Sequence, residues 1–275
     1  MARAISVHHG SFGRATLYEL DKPLITHAHR EGHLIFYLGG PSGSFRVGCS
    51  DVAMDSSQGV AVSPWEPHSF HPGSETEFIY VLTLYIKPMW FLENSQSAEF
   101  ALSFGTPGIP MTPAVETSVG RLTSILLDDQ PSERFDGFLF ETTRLCYDLS
   151  WQAIEQRPLL NNVQRRFNDY RVRRSLRLMQ ESYAEETGMD TLAREVGLSR
   201  PHFFKLFKQQ MGITPNLYLN TLRAEHAIED LITTNKTITD IGLDLGFASQ
   251  ASFTRFFTSN VGIPPTDYRR VAHFV

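Results

Sequence analysis

The strongest constraint on the fold of this chain is an internal repeat in roughly its last 100 residues. One pattern of phenylalanine, glycine and proline occurs there twice, with its members in the same order in both copies. At an offset of 50 positions, the matching pairs are Phe203 and Phe253, Lys205 and Arg255, Phe207 and Phe257, Gly212 and Gly262, Ile213 and Ile263, Pro215 and Pro265, and Tyr218 and Tyr268. One extra residue before Gln250 sets the offset to 49 upstream, where Gly197 matches Gly246. The repeat predicts two copies of one small structural unit.

Each copy has the signals of a helix–turn–helix. A short apolar-faced helix ends at Gly197 in the first copy and at Gly246 in the second, where the left-handed conformation favours glycine. Ser199 and Ser249 follow as the expected N-caps of the next helix. We expect this next helix to turn one apolar face inward and to leave the opposite face polar and partly basic. The expected inward residues are Phe203, Leu206, Phe207, Phe253, Phe256 and Phe257.

A longer helix is predicted between the two units. It begins at Thr214, a cap that is followed by Pro215 at the first helical position, and it continues to about Thr233. The 19 residues from Pro215 onwards span ~28 Å at ~1.5 Å per residue. That length suits two recognition helices that enter successive major grooves, ~34 Å apart. Thr237 and Asp240 then predict a capping box at the start of the second unit. The alternative is a helical bundle that binds protein.

Charge is divided unequally along the chain. Residues 1–162 carry 10 basic and 18 acidic side chains, a balance of −8, whereas residues 163–275 carry 15 basic and 12 acidic ones, a balance of +3. The basic balance of the second part favours a polyanion as its partner, although ordinary scatter also produces a difference of this size.

Residues 171–271 resemble the DNA-binding region of the AraC/XylS family of transcription regulators. The residues that carry the resemblance are 241–247, 253–257, 262–265, Tyr268 and Arg269 in the second copy, and Leu192, Ala193, 197–199, Phe207 and Lys208 in the first. Gly242 departs from the family, which commonly has alanine there, and should lower helix stability by ~1 kcal/mol or less. The resemblance implies a regulator that contacts RNA polymerase, more often as an activator than as a repressor.

The resemblance also implies which side chains face the major groove. They are Arg200, Pro201, Phe204 and Lys205 in the first copy, and Gln250, Ala251, Thr254 and Arg255 in the second. Arg255 is expected to pair with guanine and Gln250 with adenine. The side chains of Pro201 and Phe204 donate no hydrogen bond, so the first unit is expected to read thymine methyl groups or to position the protein. The residues expected to contact phosphate or to remain solvated are Lys208, Arg223, Arg269 and His202.

The first 112 residues have the pattern of a β-rich domain. Apolar runs of strand length alternate there with segments rich in glycine, proline and serine; the runs lie at 34–38, 45–47, 59–62 and 78–86. Many short strands at close spacing predict an antiparallel barrel or sandwich. The expected fold class is α+β, with an N-terminal antiparallel β-barrel, two following helices and a C-terminal all-α tandem helix–turn–helix.

Four histidines of the β-rich domain form the candidate effector site: His27, His29, His33 and His68. Their surroundings resemble the two short motifs of a cupin barrel, the sensor fold often joined to AraC-type DNA-binding units. His33 stands where metal-binding cupins usually have glutamate, and Glu66 stands where a glycine is usual. The cluster is expected to hydrogen-bond an organic effector. The alternatives are a site for Zn, Fe, Ni or Cu, and purely structural histidines; no metal or cofactor is assigned.

Two helices and a linker are predicted between the two domains. Residues 113–157 have helical periodicity, and their apolar faces either cap the N-terminal core or pair with a second copy. A homodimer is expected because a repeated DNA target requires two copies. The expected domains are a sensor barrel at 1–112, a dimerisation region at 113–157, a polar linker at 158–170 and a DNA-binding domain at 171–275.

Several classes of protein are disfavoured by the sequence. No apolar run approaches the ~18–20 residues that span a membrane, and no secretory signal is visible. The distant pair Cys49 and Cys146 suits a reducing cytosol, so a cytoplasmic location is expected. No serine–histidine–aspartate set, phosphate-binding glycine loop or paired-cysteine motif indicates an enzyme, and no catalytic residue is assigned.

The sequence therefore predicts a DNA-binding transcription regulator, an activator controlled by a small-molecule effector in its N-terminal barrel. Its expected partners are promoter double-stranded DNA, the effector, RNA polymerase and a second copy of the chain. Two alternatives stay open: a metal-dependent cupin enzyme tethered to DNA, with the four histidines as ligands, and a DNA-binding adaptor without a ligand.

Overall fold

The structure is a computed structural model of the 275-residue chain, and it describes residues 3–74, 76–94, 102–128, 134–152, 154, 169–184 and 188–274. It consists of two compact units: the first contains residues 1–157 and 267–275, and the second contains residues 158–266. Residues 158–168 of the predicted linker lie outside the described part, and Tyr170 already begins a helix. Among the described residues, no helix combines the length and the apolar character that crossing a membrane requires.

The first unit consists of short strands with a few helices. Its strands are β1 (Arg3–Gly10), β2 (Gly13–Leu20), β3 (Leu24–His27), β4 (Gly32–Gly39), β5 (Gly43–Val47), β6 (Ser50–Met54), β7 (Gln58–Val62), β8 (His68–His71), β9 (Ile79–Ile86), β10 (Gly108–Pro110) and β11 (Ala272–Phe274). Its helices include α1 (Pro88–Asn94), α2 (Pro113–Leu127) and α3 (Phe135–Trp151). The predicted β-rich first half is confirmed.

The strands form two sheets that are open at their edges. Seven strands pair in the order β10–β7–β4–β9–β2–β1–β11, and four pair in the order β3–β8–β5–β6. Neighbours are antiparallel, except that β1 and β11 are parallel. The α+β class is confirmed, whereas the predicted closed antiparallel barrel is not. Alternating apolar residues predict strands and their buried faces, but they do not determine whether two edge strands meet.

Helices α2 and α3 pack on the core of the first unit. Leu34 and Leu84 of the seven-stranded sheet, Leu122 of α2 and Leu139 of α3 belong to one buried cluster. Burying a leucine side chain contributes about 1.5–3 kcal/mol, so these apolar faces stabilise the unit itself. The described apolar residues of α2 and α3 therefore cap the core, and pairing of residues 113–157 with a second copy stays a prediction.

The last residues of the chain pack with the first unit. Strand β11 pairs with β1, with Val7 opposite Ala272. Tyr268 is buried, and its hydroxyl lies 2.9 Å from Nε2 of His9. The sequence places residues 267–275 in the DNA-binding domain; the structure groups them with the first unit because β1 offers a sheet edge to a short parallel strand.

Burial of His9 predicts that acid destabilises the first unit. Desolvation, with the nearby charges of Arg14 and Lys87 and with His8, lowers the pKa of His9 from 6.5 to about 3. Between these two pKa values the imidazole of His9 is protonated in the unfolded chain but not in the folded chain. The contribution of neutral His9 to stability is therefore fully present above pH 6.5 and decreases as the pH falls towards about 3. This group alone should lower the free energy of unfolding by about 2 kcal/mol between pH 8 and pH 5.

Urea unfolding of the wild type and of His9→Gln at both pH values checks this expectation. Glutamine keeps a hydrogen-bonding side chain but does not titrate. The variant should lose about 2 kcal/mol less than the wild type over the interval, and equal losses would contradict the role of His9.

The described part of the second unit is helical apart from its turns. Its helices are α4 (Tyr170–Glu181), α5 (Met189–Glu195), α6 (Arg200–Met211), α7 (Pro215–Thr233), α8 (Ile238–Asp244) and α9 (Gln250–Val261), and α10 (Pro265–Val271) begins in it. Helices α5 and α6 form the first predicted helix–turn–helix, and α8 and α9 form the second. The connecting helix α7 has the 19 residues that the sequence predicts.

Most of the predicted helix caps are present. Thr214, Thr237 and Ser249 each accept a hydrogen bond from a backbone N–H of the first helical turn. Ser199 occupies the N-cap position of α6, but its side chain makes no capping bond. Pro201, at the second position of that helix, has no N–H, and this removes one of the two usual donors.

Glycines at three positions serve the turn and the packing of the repeat. Gly197 and Gly246 have φ of 72° and 81°, as their places at helix ends predict. At Gly242 a Cβ would lie 2.9 Å from the Cβ of Phe253, so alanine requires a shift of the backbone. The glycine that lowers the helix propensity of α8 thus allows α8 and α9 to approach closely.

Candidate nucleic-acid interface and histidine cluster

Buried aromatic pairs determine which face of α6 and α9 remains outside. Each pair contributes one ring per helical turn, with ring centroids 5.7 Å apart in α6 and 5.9 Å apart in α9. The pairs are Phe203 with Phe207 and Phe253 with Phe257, all at most 1% exposed. The other two residues predicted to point inward, Leu206 and Phe256, are half-buried.

The residues predicted to face DNA lie on a neighbouring side of the same helices and not on the side of these aromatic pairs. They occupy the first, second, fifth and sixth positions of each helix, a spacing that places them on one side. Arg200, Pro201, Lys205, Gln250, Ala251 and Arg255 are exposed, and Phe204 and Thr254 are half-buried. The two helices therefore present equivalent accessible faces.

The first residue of each of these helices is held by the helix before it. Nη1 of Arg200 donates to Oδ2 of Asp190 in α5 at 2.9 Å. Oγ1 of Thr239 in α8 donates to Oε1 of Gln250, also at 2.9 Å. Asp190 and Thr239 are equivalent positions of the repeat, 49 residues apart. The repeat thus extends to a side-chain contact that orients the start of each accessible face.

The cations of the accessible faces differ in their surroundings. The Arg200 guanidinium lies 5.5 Å from the centroid of the Phe204 ring and pairs with Asp190. Lys205 and Arg255 have no ion-pair partner within the described residues. Both charges are therefore available to a polyanion without breaking an existing pair.

Arg223 has a structural contact that the sequence does not predict. Its Nε donates to the carbonyl oxygen of Tyr183 at 2.7 Å, and its guanidinium lies 5.6 Å from the centroid of the Phe247 ring. Of the other residues expected to contact phosphate or remain solvated, Lys208 and His202 are exposed on α6. Arg269 belongs to the first unit.

The four histidines of the candidate effector site come together in the first unit. His27 lies at the end of β3, directly opposite His68 at the start of β8, while His33 lies in β4 and His29 just before it. All four are at most 6% exposed. The centroids of contacting rings are 4.3–5.5 Å apart. The sequence-predicted set is therefore one buried cluster.

Backbone carbonyls orient two of these imidazoles. Nδ1 of His27 lies 2.7 Å from the carbonyl oxygen of Ile25, and Nδ1 of His68 lies 2.9 Å from that of Glu66. A carbonyl only accepts, so each Nδ1 donates and each neutral ring keeps a lone pair on Nε2. The two oriented rings thus each offer a nitrogen that can accept a proton donor or bind a metal.

The histidine cluster is uncharged at neutral pH. Burial is the largest cause, and it lowers the pKa of His27 from 6.5 to about 4. The same cause places the pKa of His29, His33 and His68 well below 6.5, with the other imidazoles of the cluster adding to the effect. All four side chains therefore offer neutral donors and acceptors to a ligand.

Arg14 and Tyr85 border the cluster, and the sequence reasoning missed both. The Arg14 guanidinium lies 3.6 Å from the centroid of the Tyr85 ring, which contacts the rings of His29 and His33. Arg14 is 4% exposed. The one available signal for Arg14 was its position in β2, a strand that is buried along nearly its whole length. In the sheet, Arg14 pairs with Tyr85 of β9.

Comparisons with known proteins agree with the repeat. Residues 192–271 match the family model described as a helix-turn-helix domain. The lactose operon transcription activator of Staphylococcus xylosus is 29% identical over 128 residues, which are 46% of this chain and 45% of that protein. An HTH-type transcriptional regulator of Staphylococcus aureus strain COL is 38% identical over 102 residues, 37% of this chain and 14% of that protein. The chain spans less than half the length of these two curated relatives.

A solved structure shares the fold over most of the chain. ToxT from Vibrio cholerae, crystallised with an unsaturated fatty acid, matches 94% of both chains with a TM-score of 0.60 and 15% identity. At this identity the similarity shows the fold alone. Both curated relatives are transcription regulators, in agreement with the prediction of a regulator for this chain. Residues 192–271, which contain both predicted units, thus form a helix–turn–helix domain similar to that of these transcription regulators.

Proposed function

We propose that the chain binds promoter DNA sequence-specifically, activates transcription, and is controlled by a small molecule in its first unit. The observation that carries DNA binding is the pair of equivalent accessible faces on α6 and α9, each oriented by a contact to the preceding helix. The activator role is supported by the similarity to the lactose operon activator. The effector is supported by the shared fold with fatty-acid-bound ToxT.

In the proposed complex, α6 and α9 enter successive major grooves. The 19 residues of α7 span ~28 Å, close to the ~34 Å of one DNA turn. Arg255 pairs with guanine and Gln250 with adenine, each through two hydrogen bonds. Pro201 and Phe204 contact thymine methyl groups or position the first helix–turn–helix.

The proposed effector binds at the histidine cluster of the first unit. It controls DNA binding only as far as it binds one arrangement of the protein more tightly than another. RNA polymerase and a second copy of the chain complete the proposed partners, since a repeated promoter site requires two copies. Sedimentation of the chain alone and with DNA counts the copies.

Selection from a random duplex library, followed by fluorescence anisotropy, tests the proposed function. The selected duplex should bind about 1,000-fold or more tightly than a scrambled duplex of equal length. Its affinity should fall steeply as the salt concentration rises. Equal affinities for the two duplexes would overturn sequence-specific binding. Addition of the true effector should change the affinity of the protein for the selected duplex.

Neutralising Asp190 should strengthen DNA binding. Its carboxylate pairs with Arg200 and places a negative charge beside the proposed interface. Asp190→Asn should raise the affinity about 2- to 10-fold at low salt, because it removes repulsion and releases Arg200 to the DNA. Asp51→Asn is the matched control, since Asp51 is an exposed partner of Arg46 in the first unit. Weaker binding by Asp190→Asn would show that the Arg200–Asp190 contact is needed for recognition.

A further inference from the structure

Four imidazoles in mutual contact are an unusual content for a protein interior. Their rings face one another, and the cluster contains no carboxylate to balance a charge. We infer that His27, His29 and His68 bind a divalent transition-metal ion, with His33 beside them as the candidate fourth ligand. This inference replaces the organic effector of the proposed function with a metal ion at the same cluster, and its regulatory part rests on that proposed function.

The geometry brings three ligand atoms together. One imidazole nitrogen from each of His27, His29 and His68 lies within 4.8 Å of the others. Ligand atoms of a tetrahedral zinc ion, bound at about 2.0–2.1 Å, are about 3.3 Å apart. The three nitrogens therefore have to move closer together when the ion binds. Two of the three residues face each other across paired strands, so the backbone already holds them in register.

The orientation of the rings is that of metal ligands. In metal sites, a histidine usually donates the N–H of its second nitrogen to a carbonyl or carboxylate, which aims the lone pair of the first at the ion. His27 and His68 make this bond through Nδ1 to the carbonyl oxygens of Ile25 and Glu66. An electron-pair acceptor among the rings would satisfy both of the Nε2 lone pairs.

The two remaining histidines have buried nitrogens in need of a partner. Nε2 of His29 and Nε2 of His33 are buried and have no hydrogen-bond partner within the described residues. Leaving such atoms unsatisfied costs about 1–3 kcal/mol each. A bound ion gives His29 a partner directly and lies next to His33, whose ring centroid is 4.6 Å from that of His29. The orphaned atoms are thus a second, independent sign of a ligand.

The chemistry of the donors selects the ion. Imidazole nitrogens suit Zn²⁺, Ni²⁺, Cu²⁺ and Fe²⁺, whereas Mg²⁺ and Ca²⁺ prefer carboxylate and carbonyl oxygen. Size favours an ion over an organic molecule, because rings with centroids 4.3–5.5 Å apart must separate before an organic molecule can enter. Zn²⁺ is therefore the ion we would test first.

The test uses the full chain, purified without a polyhistidine tag and stripped with a chelator. We expect one Zn²⁺ per chain in competition with a chromophoric chelator. Bound Co²⁺ should give the intense visible absorption of four-coordinate cobalt. His27→Asn and His68→Asn should each weaken Zn²⁺ binding about 100-fold or more. His71→Asn is the matched control, since His71 is exposed on the same strand as His68 and should leave binding unchanged.

Circular dichroism of each variant shows whether it folds. If a variant does not fold, the cobalt spectrum of the wild type still tests the inference. Absence of both zinc binding and the cobalt spectrum in the folded wild type would overturn the inference. Loss of binding in His71→Asn but not in His68→Asn would place the metal elsewhere and overturn it too.

A measurement of DNA binding distinguishes failure of the metal inference from failure of the proposed function. If zinc binds and changes the affinity for a selected duplex, the ion is an effector. If the duplex binds specifically while zinc does not bind, the metal inference fails and the proposed DNA-binding role stands. If zinc binds while no duplex is selected, the site stands and its regulatory part fails.

Discussion

Gly246→Ala should destabilise the second unit by about 3 kcal/mol or more. Gly246 has φ of 81°, in the left-handed region where a side chain costs about 1–2 kcal/mol. A Cβ at this position would also lie 2.1 Å from the carbonyl oxygen of Ala184, a backbone atom that cannot rotate away. The turn of the second helix–turn–helix would have to open to relieve this overlap, so specific DNA binding should be lost with the stability.

Gly197→Ala is the matched control within the same chain. Gly197 is the equivalent glycine of the first copy and has φ of 72°, but a Cβ there would meet no heavy atom of the described residues within 4 Å. This variant should lose only the conformational part, about 1–2 kcal/mol. Urea unfolding followed by circular dichroism measures both. Equal losses in the two variants would show that the contact with Ala184 does not constrain the turn.

Removing Lys205 and Arg255 together should weaken specific DNA binding by the sum of the two single effects. Each side chain is exposed on a different recognition helix, and neither has an ion-pair partner in the described part of the chain. Arg255→Ala should cost about 1–3 kcal/mol and relax the preference at one base pair. Lys205→Ala should weaken binding by about 1 kcal/mol. Because Lys205 is expected to contact a phosphate, its loss should also reduce the slope of log affinity against log salt concentration by about one.

Additivity in the double variant tests whether both units bind at once. Independent sites add within about 0.5 kcal/mol. Arg144→Ala controls for the loss of a positive charge, because Arg144 is exposed on α3 of the first unit and pairs with Asp148. If Lys205→Ala has no more effect than Arg144→Ala, the first helix–turn–helix does not contact the duplex.

Local signals predicted the second unit well because its structure is determined by near neighbours in sequence. Thr214 caps the helix that Pro215 begins, and the aromatic pair of each copy is buried as its spacing predicts. Ser199 makes no capping bond, although Pro201 removes only one of the two usual donors, so the prediction of this cap was wrong. The contact between Arg200 and Asp190 depends on the angle between two helices, which no local pattern specifies.

The first unit was less predictable because its contacts join distant parts of the chain. Alternation identified strands, but it did not determine the order of strands in the sheets or the pairing of β1 with β11 near the opposite end of the chain. The four histidines were found because a short motif brings three of them together in sequence. Arg14 and Tyr85 were missed because they meet only through the pairing of β2 with β9.

Hydroxyl-radical footprinting on a selected duplex tests the central claim that both helix–turn–helix units read DNA. We predict protection of two backbone segments that flank the occupied major grooves, with centres about 10 base pairs apart on one face of the duplex. In Arg255→Ala, the segment bound by the second unit should lose protection before the other does. A single protected segment in the wild type, or two segments on opposite faces of the duplex, would contradict the claim.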